Sequence, residues 1–142
     1  MMTSEFETSF YETLKQYLER HHRGLRCITP PSGLYIARGH AVPSPDVIVE
    51  NPSTGAMLAI EIKGERYGDS LPFATLPQLK AMRDALEPLN AELVLISVAD
   101  VPEPVLARLH QEHITVAHAK TVGQALEQIK GKLCALEKGE EG

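Results

Sequence analysis

Residues 93–98, LVLISV, form a near-continuous apolar run. That is the pattern of a strand covered on both faces, as in a parallel sheet sandwiched between helices. The surrounding segments supply the covers. Over residues 4–22, Phe6, Phe10, Leu14, Tyr17 and Leu18 recur at intervals of three and four, which puts them on one helical face. Thr3 or Ser4 can cap this helix, Glu7 completes a capping-box spacing with Ser4, and Gly24 is a natural stop. Residues 74–89 read as a second helix with Leu76, Leu79, Met82, Leu86 and Leu89 inward. Pro102 and Pro104 open a third that runs to His110, and residues 122–136 form the last.

Extended pieces lie between the helices. Residues 25–29 and 34–38 are separated by Pro30-Pro31-Ser32-Gly33, a loop signal. Residues 46–50 (DVIVE) and 56–63 flank Asn51-Pro52-Ser53-Thr54-Gly55, turn chemistry that favours an antiparallel hairpin. A short strand over 114–117 completes the order α, two or three strands, α, β, α, β, α. This order predicts an α/β fold, a central mixed β-sheet with helices on both faces. A chain of 142 residues suits one domain, expected over 1–136 with a polar tail over 137–142. No apolar run approaches the roughly 18–20 residues of a membrane helix, and the acidic N-terminus MMTSEFETSF lacks a basic-then-apolar leader. A cytoplasmic location is therefore expected. Cys27 and Cys134 match no metal-ligand spacing and read as packing residues of a reducing compartment.

The net charge of −5 argues against a chain that grips polyphosphate by overall electrostatics. The charge is uneven, however. Between Arg20 and Pro45 there is no acid, while Arg20, Arg23, Arg26 and Arg38 all fall there. The average repels nucleic acid, but this region need not.

The chemistry concentrates in residues 45–65, PDVIVENPSTGAMLAIEIKGE. Side chains alternate along a strand, so Glu61 and Lys63 share one face and Ile62 takes the other. Folding the hairpin brings Asp46 opposite one of residues 59–61, depending on turn length. Two carboxylates and an ammonium then cluster. Like charges held together out of water are costly unless a cation neutralises them, and a hard divalent metal does so with oxygen ligands. Asp46, Glu61 and the Ile62 carbonyl are the expected ligands, with Lys63 orienting water or offsetting charge on a phosphoryl group. The plainer alternative is a solvated strand edge carrying a Glu–Lys ion pair after a Pro-Asp turn.

Pro45-Asp46 followed by Glu61-Ile62-Lys63 resembles the signature of the PD-(D/E)XK nuclease superfamily, over about residues 5–98. The nearest likeness is to the virus-type replication-repair nucleases and the archaeal Holliday-junction resolvases. The resemblance implies a restriction-endonuclease-like core, helix, three strands, helix and strand, here with an α-β-α extension. It also implies Mg²⁺-dependent (or Mn²⁺-dependent) hydrolysis of DNA phosphodiesters, in repair, recombination or a phage or mobile-element setting. Relatives carry a metal-reaching glutamate on the first helix. Glu7 lies on the buried face with Phe10, Leu14 and Leu18 and Glu12 points away, so Glu7 is the candidate, its capping role being the alternative. Gln78 matches a glutamine borne on the helix after the signature, and could orient water or hold Lys63; a surface glutamine is the other reading. Arg23, Arg26, Arg38, Arg66 and Lys80 are the candidate phosphate contacts on duplex or branched DNA, and a homodimer would suit the cutting of two strands. The six histidines show no metal spacing and read as surface or satisfied groups.

Two other functions compete. A catalytically inactive nuclease-like binding module suits the acidic balance. A doubly wound nucleotide-binding domain suits the alternating elements, but no Gly-rich phosphate loop follows a strand.

Overall fold

A computed structural model describes residues 5–28, 45–63 and 70–139. The element order is α1 (Glu5–His21), β1 (Arg26–Ile28), β2 (Val47–Glu50), β3 (Met57–Lys63), α2 (Leu76–Leu86), β4 (Ala91–Ser97), α3 (Glu103–Gln111), β5 (Thr115–His118) and α4 (Val122–Lys138). One sheet runs in the order β1-β2-β3-β4-β5. β1–β2 and β2–β3 pair antiparallel, β3–β4 and β4–β5 parallel. The α/β class and mixed sheet are as expected. The expected strand over 34–38, the residues Arg38 and Arg66, and the caps Thr3 and Ser4 lie outside the described residues.

Strand alternation divides the core between two faces. Val47, Val49, Leu58, Ile60, Ile62, Val94 and Ile96 form the first face, against Phe10, Leu14 and Leu18 of α1 and Ile129 and Leu133 of α4. Ile48, Ala59, Leu93 and Leu95 form the second, against Leu79, Met82 and Leu86 of α2 and Val105 and Leu109 of α3. Two successive parallel crossovers of one hand put α2 and α3 on the same side, and the first and last helices cover the other. β4 is buried on both faces because it lies inside this sandwich.

Three expectations change. The helix expected over 74–89 is broken into a 3₁₀ turn (Phe73–Thr75), α2, and a second 3₁₀ turn (Glu87–Leu89). Pro88 has no N–H for the next helical bond and its ring crowds the carbonyl four residues back. The chain then leaves through Asn90 at φ 56°, so Leu89 is 41% exposed rather than inward. Cys134 is exposed on α4, not packed; Cys27 is partly buried, and burial pushes its thiol up to about 12.

The third correction concerns the tail. α4 continues through Glu137 and Lys138 and ends on Gly139 at φ 75°. Glu137 Oε1 lies 2.9 Å from Nδ1 of buried His22, and that contact holds the Glu137 carboxyl below its usual range. The tie therefore contributes at neutral pH and is lost in acid as Glu137 takes up its proton. Buried Asn51 donates to the Leu136 carbonyl at 2.9 Å and accepts from Ser53 N–H at 3.0 Å. One side chain thus clamps the β2–β3 turn to the end of α4. Asn51→Ala is expected to cost about 2 kcal/mol, since it removes the buried tie to the end of α4 and leaves the Ser53 N–H without its acceptor. Urea unfolding will measure it.

Gly131 sits in the middle of α4, exposed, and a Cβ built on it meets nothing within 4 Å. Glycine there costs roughly 0.5–1 kcal/mol relative to alanine. Gly131→Ala should raise the melting temperature by about 2–4 °C. Among the described residues, no helix is long and apolar enough to cross a membrane.

Candidate active site

The second sheet face ends in polar residues. Along β3 the side chains of Ala59, Glu61 and Lys63 point to the α2 side, and only Ala59 is needed for the core. The β2–β3 register pairs Val47 with Ile60. One step further, Asp46 stands directly opposite Glu61, where cross-strand side chains are neighbours. This settles the position that the turn length left open.

Asp46 is held in place by its Oδ2, which accepts the Ile62 N–H at 2.8 Å and so extends the ladder beyond the end of β2. The Lys63 carbonyl accepts from Val98 N–H at 2.8 Å, on the β4 side. Backbone groups alternate sides along a strand, so the Ile62 carbonyl, like its N–H, turns toward Asp46.

Glu61 is only 6% exposed. Its Oε2 accepts from Lys63 Nζ at 3.2 Å, and the Lys63 side chain is itself 12% exposed. Its Oε1 is buried and has no hydrogen-bond partner among the described residues. Burial first, the neighbouring Asp46 charge second, and a hydrogen bond to Asp46 that requires a proton between the two acids push the Glu61 carboxyl up to about 8 against the pull of Lys63. A carboxylate in this setting is under-satisfied.

Two of these residues could hold a hard dication. An orphaned buried carboxylate oxygen beside a second carboxylate is what a cation relieves, and Mg²⁺ commonly takes only one or two protein carboxylates and keeps several waters. Asp46, Glu61 and the Ile62 carbonyl would hold it.

Among the described residues no group of three or more His, Cys, Asp or Glu side chains converges. α1, which carries Glu7, buries its apolar stripe on the first face, whereas Asp46 and Glu61 stand on the second. Gln78 lies exposed in the first turns of α2. The β3–α2–β4 crossover brings that end of α2 to the carboxyl end of β3, so Gln78 is at the correct end of the sheet.

The candidate phosphate contacts are scattered. Arg26 pairs with Glu50 at the turn end of β2, the end remote from Asp46, and Arg23 donates to the Glu19 carbonyl at 3.4 Å. Lys80 pairs with Asp84 on the exposed side of α2. A neighbour missed in the sequence is Ser97, level with Lys63 on β4, fully buried and donating to the Ala99 carbonyl at 2.6 Å. Its signal was present, a lone hydroxyl at the end of an apolar strand.

Compared with protein-family models, with curated proteins and with solved structures, the chain gives no match.

Proposed function

We propose that this chain is a metal-dependent DNA endonuclease built on a restriction-endonuclease-like core of the PD-(D/E)XK kind. The observation that carries this reading is the buried Glu61 carboxyl crowded against Asp46, with no donor on its Oε1 and Lys63 3.2 Å from its other oxygen. Folding stability alone does not favour two acids and an amine at this depth. A phosphodiester hydrolase needs them.

The roles follow from chemistry and position. Asp46 and Glu61 supply anionic oxygens for Mg²⁺ or Mn²⁺, which when bound polarises a phosphoryl oxygen and acidifies water. The Ile62 N–H fixes the Asp46 rotamer. Lys63, on a strand in mid-sheet, is placed to oppose charge gathering on the phosphate. Gln78 stands at the same end and can orient water or substrate. Arg38, Arg66 and Lys80 are the phosphate contacts of this reading, Arg23 and Arg26 standing at the far end of the strands, and a homodimer would serve a two-strand cut.

One observation favours an inactive nuclease-like module instead: only two acids converge among the described residues, in a chain of net charge −5. Melting with and without Mn²⁺ separates the two, because a ligand that binds only the folded form raises the melting temperature. The expected result is a metal-dependent rise for the wild type that Asp46→Ala loses, together with plasmid or junction cleavage in Mg²⁺. No rise, and no cleavage, would leave the module reading in place.

A further inference from the structure

The parallel register links the carboxylate pair to a second group of polar residues. Lys63 on β3 is level with Ser97 on β4, and Ser97 is level with His118 on β5. Level residues of parallel strands turn to the same face. Lys63, Ser97 and His118 therefore form one row at the carboxyl ends of the strands, where open α/β sheets take their ligands. Two strand spacings of about 4.8 Å separate Lys63 from His118, roughly 10 Å.

Ser97, between them, is sealed by its bond to the Ala99 carbonyl. His118 is not sealed. Its Nε2 lies 3.2 Å from Asp100 Oδ1, Lys120 Nζ lies 3.8 Å from the same oxygen, and the His118 and Lys120 side chains are each about half exposed. Asp100 is anchored, because its carbonyl accepts the Leu71 N–H at 2.8 Å. It offsets one positive charge and takes Nε2–H, so Nδ1 donates to an anionic ligand when the ring carries both protons.

We propose that His118 and Lys120 form a second phosphate-contacting position for the substrate of the carboxylate pair, so that the ligand is a nucleic-acid strand several nucleotides long and not a single phosphoester. This rests on the hydrolase reading and extends it. Successive phosphates of one strand lie roughly 6–7 Å apart, so positions about 10 Å apart meet phosphates one or two nucleotides from each other on the same strand. No single phosphodiester spans that gap.

The test is fluorescence anisotropy of a labelled short DNA duplex, with Ca²⁺ replacing Mg²⁺ so that nothing is cut. Wild type is compared with the double variant His118→Gln, Lys120→Gln and with Lys132→Gln. Lys132 pairs with Glu92 at the opposite end of β4, so its variant loses the same charge at a remote place. The double variant should bind about tenfold more weakly, with a salt dependence shallower by about one phosphate contact. Lys132→Gln should bind as wild type, and Lys120→Arg should retain affinity. Both replaced side chains are substantially exposed, and unchanged melting will verify folding. Equal binding by the double variant and Lys132→Gln would overturn this inference alone. A wild type that binds no DNA would overturn the nuclease reading with it.

Discussion

Glu61→Gln is expected to stabilise the metal-free protein at alkaline pH and to abolish cleavage. The sign follows from the pKa. In the folded chain the Glu61 carboxyl is pushed up to about 8 from an ordinary 4.5, so the folded state holds a proton that the unfolded state has released. Between those values stability falls as pH rises, because ionising Glu61 in place costs desolvation and repulsion from Asp46. Glutamine resembles the protonated acid and carries no such cost. The variant and the wild type should therefore melt together near pH 4.5 and separate as pH rises through 8. The expected gap is on the order of a few kcal/mol, or several degrees. Mn²⁺ should reverse the order, raising the wild type and leaving the variant unmoved, with a proton released on binding. Melting curves across pH, with and without Mn²⁺, give both results. A wild type that gains stability between pH 5 and 8 relative to Glu61→Gln would show that the carboxylate is satisfied without a cation.

Lys63→Met should reduce cleavage by about 10²–10³-fold while leaving the metal-dependent rise in melting temperature in place. The separation is chemical. Lys63 donates to Glu61 but offers no lone pair to a cation, so its removal takes away a positive charge aimed at the phosphate and leaves the oxygen ligands. Loss of one preorganised electrostatic contact in a water-poor site costs a factor of this size. Methionine keeps the length of the buried stem, which limits packing loss. The measurement is single-turnover cleavage at saturating Mg²⁺, paired with Mn²⁺ melting. Wild-type rates would remove the amine from the chemistry. Loss of the metal response together with activity would instead give Lys63 a role in holding the carboxylates apart.

Much of the fold was legible because it depends on local chain geometry. The turn residues Asn51–Gly55 announce a hairpin, LVLISV announces a strand covered on both sides, and the stripe Phe10, Leu14, Leu18 announces the buried face of α1; each is found. Of the candidate site, Glu61 and Lys63 on one face follows from strand alternation alone. Local reading failed where a single residue changed the local geometry. Pro88 ended α2 and put Leu89 outside, and the last strand ended one residue later than expected, at His118. That one residue brings His118 level with Ser97 and Lys63.

What the sequence determined by itself was which segments are strands and helices and which side of each is apolar, since periods of two and 3.6 are properties of the chain. The tertiary structure decided which groups meet. Register put Asp46 opposite Glu61, packing put the apolar stripe of α1 on the other sheet face, and the β3–α2–β4 crossover brought the start of α2, with Gln78, to the end of β3. Those outcomes depend on contacts between residues far apart along the chain, and no local periodicity encodes them.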